Sequence, residues 1–137
     1  MRYTIILIGT VFLFFGCKTN QIKDKKREGL WIELYSQDSS NYKSVGKYRK
    51  GDPIKKWSYY LNDKIIKREK YKRNLCVTTF YHENGKIQSK GKTKLETSDM
   101  NMHWFYFGDW NFFDEEGKLI NIKKYNNGES LSETETK

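Results

Sequence analysis

Residues 57–66 read WSYYLNDKII and residues 110–120 read WNFFDEEGKLI, so two distant stretches follow one plan. In each, an aromatic residue stands three positions after tryptophan, and a polar turn, a lysine and two apolar residues follow. Residues 80–87, FYHENGKI, repeat the turn without the tryptophan, and residues 29–35, GLWIELY, form a degenerate first copy. Because self-similarity marks repeated supersecondary units, the chain is predicted to use one small element several times.

Each unit carries the signals of a β-hairpin. Aromatic and β-branched residues flank turns built on Asn-Asp, Asn-Gly or Glu-Gly, and Asn-Gly tolerates the positive φ angles of two-residue hairpin turns. Gly85, Gly117 and Gly128 are therefore expected at turn positions with positive φ, which glycine adopts without steric cost. The predicted fold class is all-β, with successive antiparallel β-hairpin repeats in one sheet.

The composition favours strands over a helical bundle. The chain has 137 residues, no alanine and 16% aromatic residues, and aromatic side chains suit half-buried strands. Its length fits one domain. The 26 basic residues exceed the 17 acidic ones, but most are lysine, whereas phosphate recognition favours the bidentate fork of arginine. No nucleic-acid partner is predicted.

The recurring aromatic residues are expected to form the core, because each buried ring removes roughly 150–250 Å² of surface from water. The predicted repeat core consists of Trp31, Trp57, Tyr60, Tyr81, Trp110 and Phe113. The alternative for these rings is an exposed platform for a sugar, a lipid or a peptide. Trp104 and Tyr106 lie outside the repeat plan and are predicted as possible partner contacts.

The first residues follow the plan of a secretory signal. Met1-Arg2 is a short positive start, residues 5–15 are apolar, and the small Gly16 precedes Cys17. The apolar run of about eleven residues is shorter than the roughly 20 that a spanning helix needs. A signal peptide is therefore predicted over residues 1–16. The alternatives are an uncleaved N-terminal membrane helix and an ordinary signal with an incidental cysteine.

The segment Phe14-Phe15-Gly16-Cys17 resembles the lipobox of bacterial lipoproteins. In that family the cysteine receives a diacylglyceryl group, and cleavage leaves the lipidated cysteine as the new N-terminus. The resemblance implies lipidation of Cys17 by two or three acyl chains, which hold a protein on a membrane where one chain binds only marginally. The expected location is the cell envelope, facing the periplasm, because no acidic cluster follows Cys17.

The remaining chain divides by polarity. Residues 17–28 are mostly polar and cationic, and they are predicted to be the lipidated cysteine and a flexible tether. Residues 129–137 form a polar stretch that is predicted to be a disordered tail. The predicted hairpin-repeat domain therefore spans residues 29–128.

Residues 46–60, 81–87 and 108–118 resemble the bacterial variant of the MORN repeat. The family pattern is Gly-x-Trp-x-x-Tyr, then a turn with Gly-Lys and an apolar residue. The resemblance implies an elongated, twisted single sheet that serves as a scaffold or binding module and not as a catalyst. Some bacterial relatives are labelled antitoxins, and the export signal shifts that idea towards a toxin acting in the envelope.

The sequence carries no strong catalytic or metal motif, so no catalytic residue, metal site or cofactor is predicted. His82 and His103 stand alone and are expected at the surface or at a strand edge, without the spacing of zinc ligands. Cys76 is expected to be a buried, inert thiol in a strand. The carboxylates of residues 114–116 are expected in a solvated turn.

The first functional hypothesis is a membrane-tethered, non-catalytic binding or scaffold protein whose partner is a protein or an envelope polymer. The alternative is an immunity or antitoxin-type protein that neutralises a toxin in the cell envelope. An enzyme acting on cell-wall or glycan polymers is less favoured, because it would need a pocket with convergent carboxylates.

Overall fold

The computed structural model describes residues 18–97 and 102–136, and every regular element in these two ranges is a β-strand. The predicted signal peptide and Cys17 lie outside the described residues. Within the described ranges, no helical segment has the length and apolar character needed to cross a bilayer. The strands are β1 (Gln21–Lys23), β2 (Lys26–Gln37), β3 (Ser40–Arg49), β4 (Asp52–Leu61), β5 (Lys64–Lys72), β6 (Leu75–Tyr81), β7 (Ile87–Thr97), β8 (Met102–Phe113), β9 (Leu119–Asn126) and β10 (Glu129–Glu135).

The ten strands form one open sheet in which spatial order equals chain order. Each strand pairs antiparallel with its neighbours along the chain, so the described connections are hairpins. The predicted all-β fold of successive hairpins is therefore confirmed. The turns alternate between two ends of the sheet, called here the upper end, which carries the turn at residues 38–39, and the lower end, which carries the turn at residues 50–51.

Five hairpins close with two residues that both have positive φ. They are Asp24-Lys25, Asp38-Ser39, Lys50-Gly51, Asn62-Asp63 and Asn127-Gly128. Paired positive φ angles define the turn whose twist matches that of the flanking strands. The positive φ predicted for Gly85, Gly117 and Gly128 is also confirmed, at 83°, 89° and 86°.

The Asn84-Gly85 dipeptide does not form the two-residue turn that its sequence suggests. It lies in a five-residue loop, closed by a hydrogen bond from the His82 N–H to the Lys86 carbonyl (2.9 Å) and by another from the Gly85 N–H to the His82 carbonyl (2.9 Å). Residues 114–118 form the same loop with the same two bonds. The two loops lie side by side at the upper end, where the Asn84 amide donates to the Glu115 carbonyl at 2.9 Å.

The sheet extends beyond the predicted domain at its N-terminal side. Where the sequence suggests a flexible tether, Thr19 forms a bridge with Leu30, and β1 pairs with the start of β2. The Asn20 amide donates to the Ile32 carbonyl at 2.8 Å and accepts from the Ile32 N–H at 2.7 Å. The Asp24-Lys25 turn explains the difference, because turn chemistry can set a hairpin where hydrophobicity is low.

The sheet also extends past residue 128. In place of the predicted disordered tail, Glu129–Glu135 pairs with β9 as strand β10. The Asn127-Gly128 turn starts this hairpin. All residues of β10 are exposed, so backbone hydrogen bonds rather than burial hold it, and polarity alone misleads at such an edge.

The tryptophan of β4 lies against a glycine of β3. A Cβ atom added to Gly46 would lie 1.9 Å from Cδ2 of Trp57, so the indole ring occupies the space of the missing side chain. The indole N–H donates to the Lys47 carbonyl at 3.2 Å. The strands bulge here, and Lys55, two positions before the tryptophan, has a φ of 59°.

The same arrangement recurs four strands later. A Cβ atom on Gly91 of β7 would lie 2.1 Å from Cδ2 of Trp110 of β8, and the Trp110 indole donates to the Lys92 carbonyl at 2.9 Å. Gly108, two positions before this tryptophan, has a φ of 68° at the bulge. The structural repeat is therefore a glycine, a bulge with positive φ and an indole ring that covers the glycine.

The fully buried set among the described residues is small, as expected of a single layer. Apart from Gly46 and Gly91, which are buried under the two indole rings, its apolar members are Trp57, Cys76 and Trp110, and its polar members are Thr78 and Ser89. These residues lie on β3, β4, β6, β7 and β8, in the middle of the sheet. The core is therefore a strip on one face and not a layer between two faces.

Gly91→Ala is expected to lower the free energy of unfolding by about 1–3 kcal/mol, because the new methyl group would overlap the Trp110 ring. Urea unfolding followed by tryptophan fluorescence measures the change. Lys92→Ala is the matched control, since its side chain is exposed and the expected change is within about 0.5 kcal/mol. Equal stability of the two variants would contradict the close contact.

Candidate functional site

The register of the strands assigns every strand residue to one of two faces. Side chains alternate along a strand, and residues directly opposite each other share a side. The side that carries Trp57 and Trp110 is called the aromatic face, and the side that carries Lys56, Lys70 and Lys92 is called the cationic face. All described strands belong to this one sheet, so no described strand covers either face.

Aromatic rings contact one another along the aromatic face from β2 to β9. Tyr48 packs edge-on against Trp31 at 5.6 Å and against Trp57 at 4.8 Å, between ring centroids. Tyr35 and Tyr42 stack in parallel at 4.7 Å near the upper end. Aromatic pairs in these geometries contribute about 0.5–1.5 kcal/mol beyond area burial, so each cluster of rings stabilises its own part of the face.

Part of the predicted repeat core lies on the other side of the sheet. Tyr60 and Phe113 follow their tryptophans by three positions, and an odd spacing in a strand places side chains on opposite faces. The rings that share the aromatic face with the tryptophans stand two positions on, at Tyr59 and Phe112. The two-residue period of a strand is therefore the sequence signal that predicts which rings share a face with each tryptophan.

Tyr81, also predicted in the core, lies on the cationic face. The Arg68 guanidinium lies 5.5 Å from the Tyr81 ring centroid, in the same way that the Lys43 ammonium lies 5.8 Å from the Tyr60 ring. These tyrosines are half-buried under cationic side chains. Trp31 is on the aromatic face but half-buried.

A carboxylate lies at the centre of the aromatic face. Glu69 Oε2 accepts hydrogen bonds from the Tyr59 hydroxyl at 2.6 Å and from the Tyr71 hydroxyl at 2.8 Å. Its Oε1 pairs with the Lys67 ammonium at 2.9 Å. Burial, followed by the charge and hydrogen bonds of Glu69, raises the pKa of both tyrosines far above their ordinary value. In the sequence, Lys67, Glu69 and Tyr71 stand at every second position, which predicts that they share one face of a strand. The aromatic repeat does not include these positions.

The other reactive side chains are held in structural contacts. Cys76 is buried as expected, burial raises the pKa of its thiol, and Sγ lies 3.8 Å from the Thr78 hydroxyl. His82 is half-buried, and its Nε2 lies 2.9 Å from the Phe113 carbonyl. His103 is exposed on the cationic face.

A groove of about 520 Å³ opens towards the upper end of the sheet. Tyr35, Tyr42, Tyr59, Lys67 and Phe80 line its aromatic wall. Tyr35 is 59% exposed, so its ring is available to a partner. The Lys67 ammonium lies 3.9 Å from the Tyr59 ring centroid and adds a cation to this wall.

A second groove, of about 570 Å³, opens towards the lower end. It is lined in part by Pro53, Tyr71, Leu95, Met102 and Trp104. Trp104 packs edge-on against Tyr71 at 5.6 Å, and Met102 is 68% exposed. The structure therefore places one predicted contact residue, Trp104, in a groove next to the Glu69 cluster.

Tyr106, the other predicted contact residue, lies outside the lining of both grooves. Its ring is 42% exposed and packs 4.4 Å from Trp110 and 5.2 Å from Tyr125, between centroids. It therefore extends the aromatic face between the buried tryptophan and the C-terminal strands.

Acids and cations are balanced on the aromatic face. Besides the Glu69 pair, Arg27 lies 3.0 Å from Glu33, and Lys123 lies 3.1 Å from Glu133. The Arg27 guanidinium also lies 4.8 Å from the Trp31 ring centroid. This face therefore offers rings and hydroxyl groups more than net charge.

The cationic face has the opposite character. Its basic residues are Lys43, Lys47, Lys56, Arg68, Lys70, Lys72, Lys90, Lys92 and Lys94. Lys56 lies directly opposite Lys70 in the register, an arrangement of like charges that destabilises a sheet. Acids on this side include Asp52 and Asp109, which lie directly opposite Arg49 and Lys124, and Glu96, whose carboxylate pairs with Lys94 at 3.4 Å. A compositional excess of lysine would enrich both faces, so the asymmetry is a property of the fold.

Comparisons of the chain with family models, with curated proteins and with solved structures find no match. Within residues 18–97 and 102–136, no group of three or more His, Cys, Asp and Glu side chains is placed to hold a metal ion. The site is therefore defined by its own geometry, which is an open aromatic face with a groove at either end and a cationic face behind it.

The double variant Tyr59→Phe/Tyr71→Phe is expected to flatten the loss of stability at alkaline pH. Because their folded-state pKa values lie above the unfolded value of about 10, the two hydroxyls contribute stability that is full below pH 10. That stability is lost progressively as the pH rises above 10 towards the folded-state values. The urea midpoint between pH 9 and pH 11 should fall more steeply for the wild type.

Tyr35→Phe is the control for this pH series, because it removes a tyrosine on the same face that lies outside the Glu69 cluster. Its profile should follow that of the wild type. Parallel profiles for the wild type and the double variant would show that the Glu69 cluster does not hold the two hydroxyls protonated.

Proposed function

We propose that this chain is a lipid-anchored, non-catalytic binding module of the cell envelope, related to the bacterial variant of the MORN repeat. The partner lies on the aromatic face, and an acyl group on Cys17 holds the protein to the membrane. The observation that carries the proposal is the pair of grooves between aromatic rings on an open sheet face.

The chemistry of the grooves favours binding. Aromatic rings are large and rigid, and a contact with them costs little side-chain entropy. Tyr59 and Tyr71 hold their hydroxyls against Glu69, so the walls of both grooves are fixed before a partner arrives. Preorganised walls lower the cost of association. A protein segment or an envelope polymer that spans the two grooves fits this surface.

The state of the reactive groups supports a non-catalytic role. A general acid or base must be free to exchange a proton with a substrate, and its pKa should lie near the working pH. The Glu69 carboxylate already accepts hydrogen bonds from two hydroxyl groups and pairs with Lys67. The Cys76 thiol is buried, and its pKa is raised, which opposes formation of the nucleophilic thiolate.

The N-terminal strands support anchoring close to the bilayer. Thr19, two positions after Cys17, already bridges to Leu30 of the sheet. Two residues span at most roughly 7 Å, so a lipid on Cys17 would hold the sheet against the headgroups. Lysine and arginine near an anionic surface each add about 1 kcal/mol. The cationic face would then turn towards the membrane and leave the aromatic face open.

A photo-crosslinking residue at Tyr35 or at Met102 is expected to capture the partner in cells of the native host. Both side chains are exposed, and each lines one groove. The products should appear as discrete bands on gels, with the same partner identified by mass spectrometry for both positions.

The matched control for crosslinking is Leu131, which is 59% exposed on β10 and lines neither groove. It should not capture the partner found at the groove positions, and a crosslink from Leu131 to a second copy of this chain is identified by mass spectrometry and counted separately. Crosslinks of equal yield and identity at Leu131, or none at either groove position, would argue against the aromatic face as the binding surface.

Cys17→Ala is expected to abolish incorporation of a clickable palmitate analogue, because the thiol is the acceptor of the lipid. In-gel fluorescence after growth with the analogue measures incorporation, and Cys76→Ala is the control that should retain it. Equal labelling of wild type and Cys17→Ala would exclude this anchor.

A further inference from the structure

Among the described residues, the two outermost strands of the sheet, β1 and β10, each pair with a strand on one side only. All side chains of both strands are exposed. An exposed strand edge is a template for pairing with another chain. Ile22 of β1 and Leu131 of β10, 70% and 59% exposed, add apolar surface to the two edges.

The direction of the strands lets the two edges meet in the pattern of the sheet. The sheet has ten strands, each antiparallel to the next, so β10 runs opposite to β1. When the β1 strand of a second copy lies beside β10, the two strands are therefore antiparallel. The alternation then continues from one copy into the next along the three residues of β1, up to the bulge between Ser130 and Ser132 of β10.

The backbone groups needed for this pairing point outwards on β1. Lys23 pairs with Lys26 and closes the two-residue Asp24-Lys25 turn, so this pair is hydrogen-bonded. Ile22 is the next residue, and hydrogen-bonded and non-bonded pairs alternate in an antiparallel ladder. The N–H and the carbonyl of Ile22 are therefore directed away from β2.

The same reasoning applies to β10. Glu129 pairs with Asn126 and closes the Asn127-Gly128 turn. The next residue, Ser130, belongs to a non-bonded pair, so its N–H and carbonyl are directed away from β9. Ile22 of one copy and Ser130 of another can exchange two backbone hydrogen bonds.

The charges of the two edges are complementary. Pairing Ile22 with Ser130 in an antiparallel register places Lys23 directly opposite Glu129. Residues 18–25 carry three lysines, Lys18, Lys23 and Lys25, and one acid, Asp24, whereas β10 carries Glu129, Glu133 and Glu135. Opposite charges stabilise cross-strand pairs and like charges destabilise them, so unlike edges are preferred over two β1 edges or two β10 edges.

We propose that copies of this chain associate head to tail, β10 of one against β1 of the next, into a continuous antiparallel sheet. The contact uses two different surfaces, so it can repeat from one copy to the next and join more than two copies. The paired edge is short, and the association is therefore weak between free molecules and strong where copies are concentrated. The proposal concerns the edges alone and does not depend on the lipid on Cys17.

The test is a disulfide between copies in the full chain, expressed in its host and oxidised in the intact envelope. Lys23→Cys/Glu129→Cys places two thiols in a non-bonded pair, in which opposite residues approach most closely. A ladder of dimers, trimers and larger species on non-reducing gels is expected. The single variants Lys23→Cys and Glu129→Cys give no ladder, but together in one cell they give dimers.

Charge exchange separates edge pairing from loss of fold. The charge test places the thiols at Ile22 and Ser130, because positions 23 and 129 must be free for the charge substitutions. There, Glu129→Lys should lower the ladder several-fold, and Lys23→Glu added to Glu129→Lys should restore it. Circular dichroism should be unchanged, since both side chains are exposed.

The control pair is Lys64→Cys/Glu129→Cys, whose first thiol lies beside an upper turn, away from the β1 edge. A ladder of equal yield from this pair would show random collision and would overturn the proposal. So would dimers from Lys23→Cys alone at the level of the double variant, or a ladder unaffected by Glu129→Lys. Loss of palmitate labelling without loss of the ladder would count against the anchor and not against the edge contact.

Discussion

An indole ring laid over a glycine of the neighbouring strand is the contact on which the sheet depends. A single layer has no opposing layer to cover its side chains, so a large ring is buried from solvent only when it lies flat on its own sheet. Gly46 and Gly91 supply the bare backbone for Trp57 and Trp110. The bulge before each tryptophan, with its positive φ, turns the strand so that the ring reaches back. Bulges commonly re-aim side chains in this way.

The same contact explains why the two faces differ. Once the tryptophans define an apolar strip, the acids around it need partners, and Glu33, Glu69 and Glu133 each have a cation on that face. The other face has no buried tryptophan among the described residues, and it leaves Lys56 and Lys70 exposed and directly opposite each other. That opposition costs stability, so the asymmetry is consistent with a role for the surface rather than with folding.

The hairpins were predictable, because turn residues and aromatic repeats are local signals. The site was predictable only in part. Tyr60 and Trp57 lie on opposite faces of the sheet because an odd number of positions separates them in one strand. The two-residue period of a strand predicts this placement. The bulges could not be predicted from the sequence, because Lys55 has a positive φ, a backbone conformation that usually indicates glycine. The strands β1 and β10 were missed because exposed edge strands lack a hydrophobic signal, and the groove around Trp104 depends on contacts between distant strands.

Pairing only between chain neighbours has a consequence for how the protein forms. Each described strand pairs with the strand before or after it in the chain. Such local pairing lowers the entropic barrier to folding. Each hairpin can close as soon as its second strand is available and can then serve as the template for the next. A chain that emerges from the ribosome with its N-terminus first can therefore acquire structure progressively, without exposing a long unpaired intermediate.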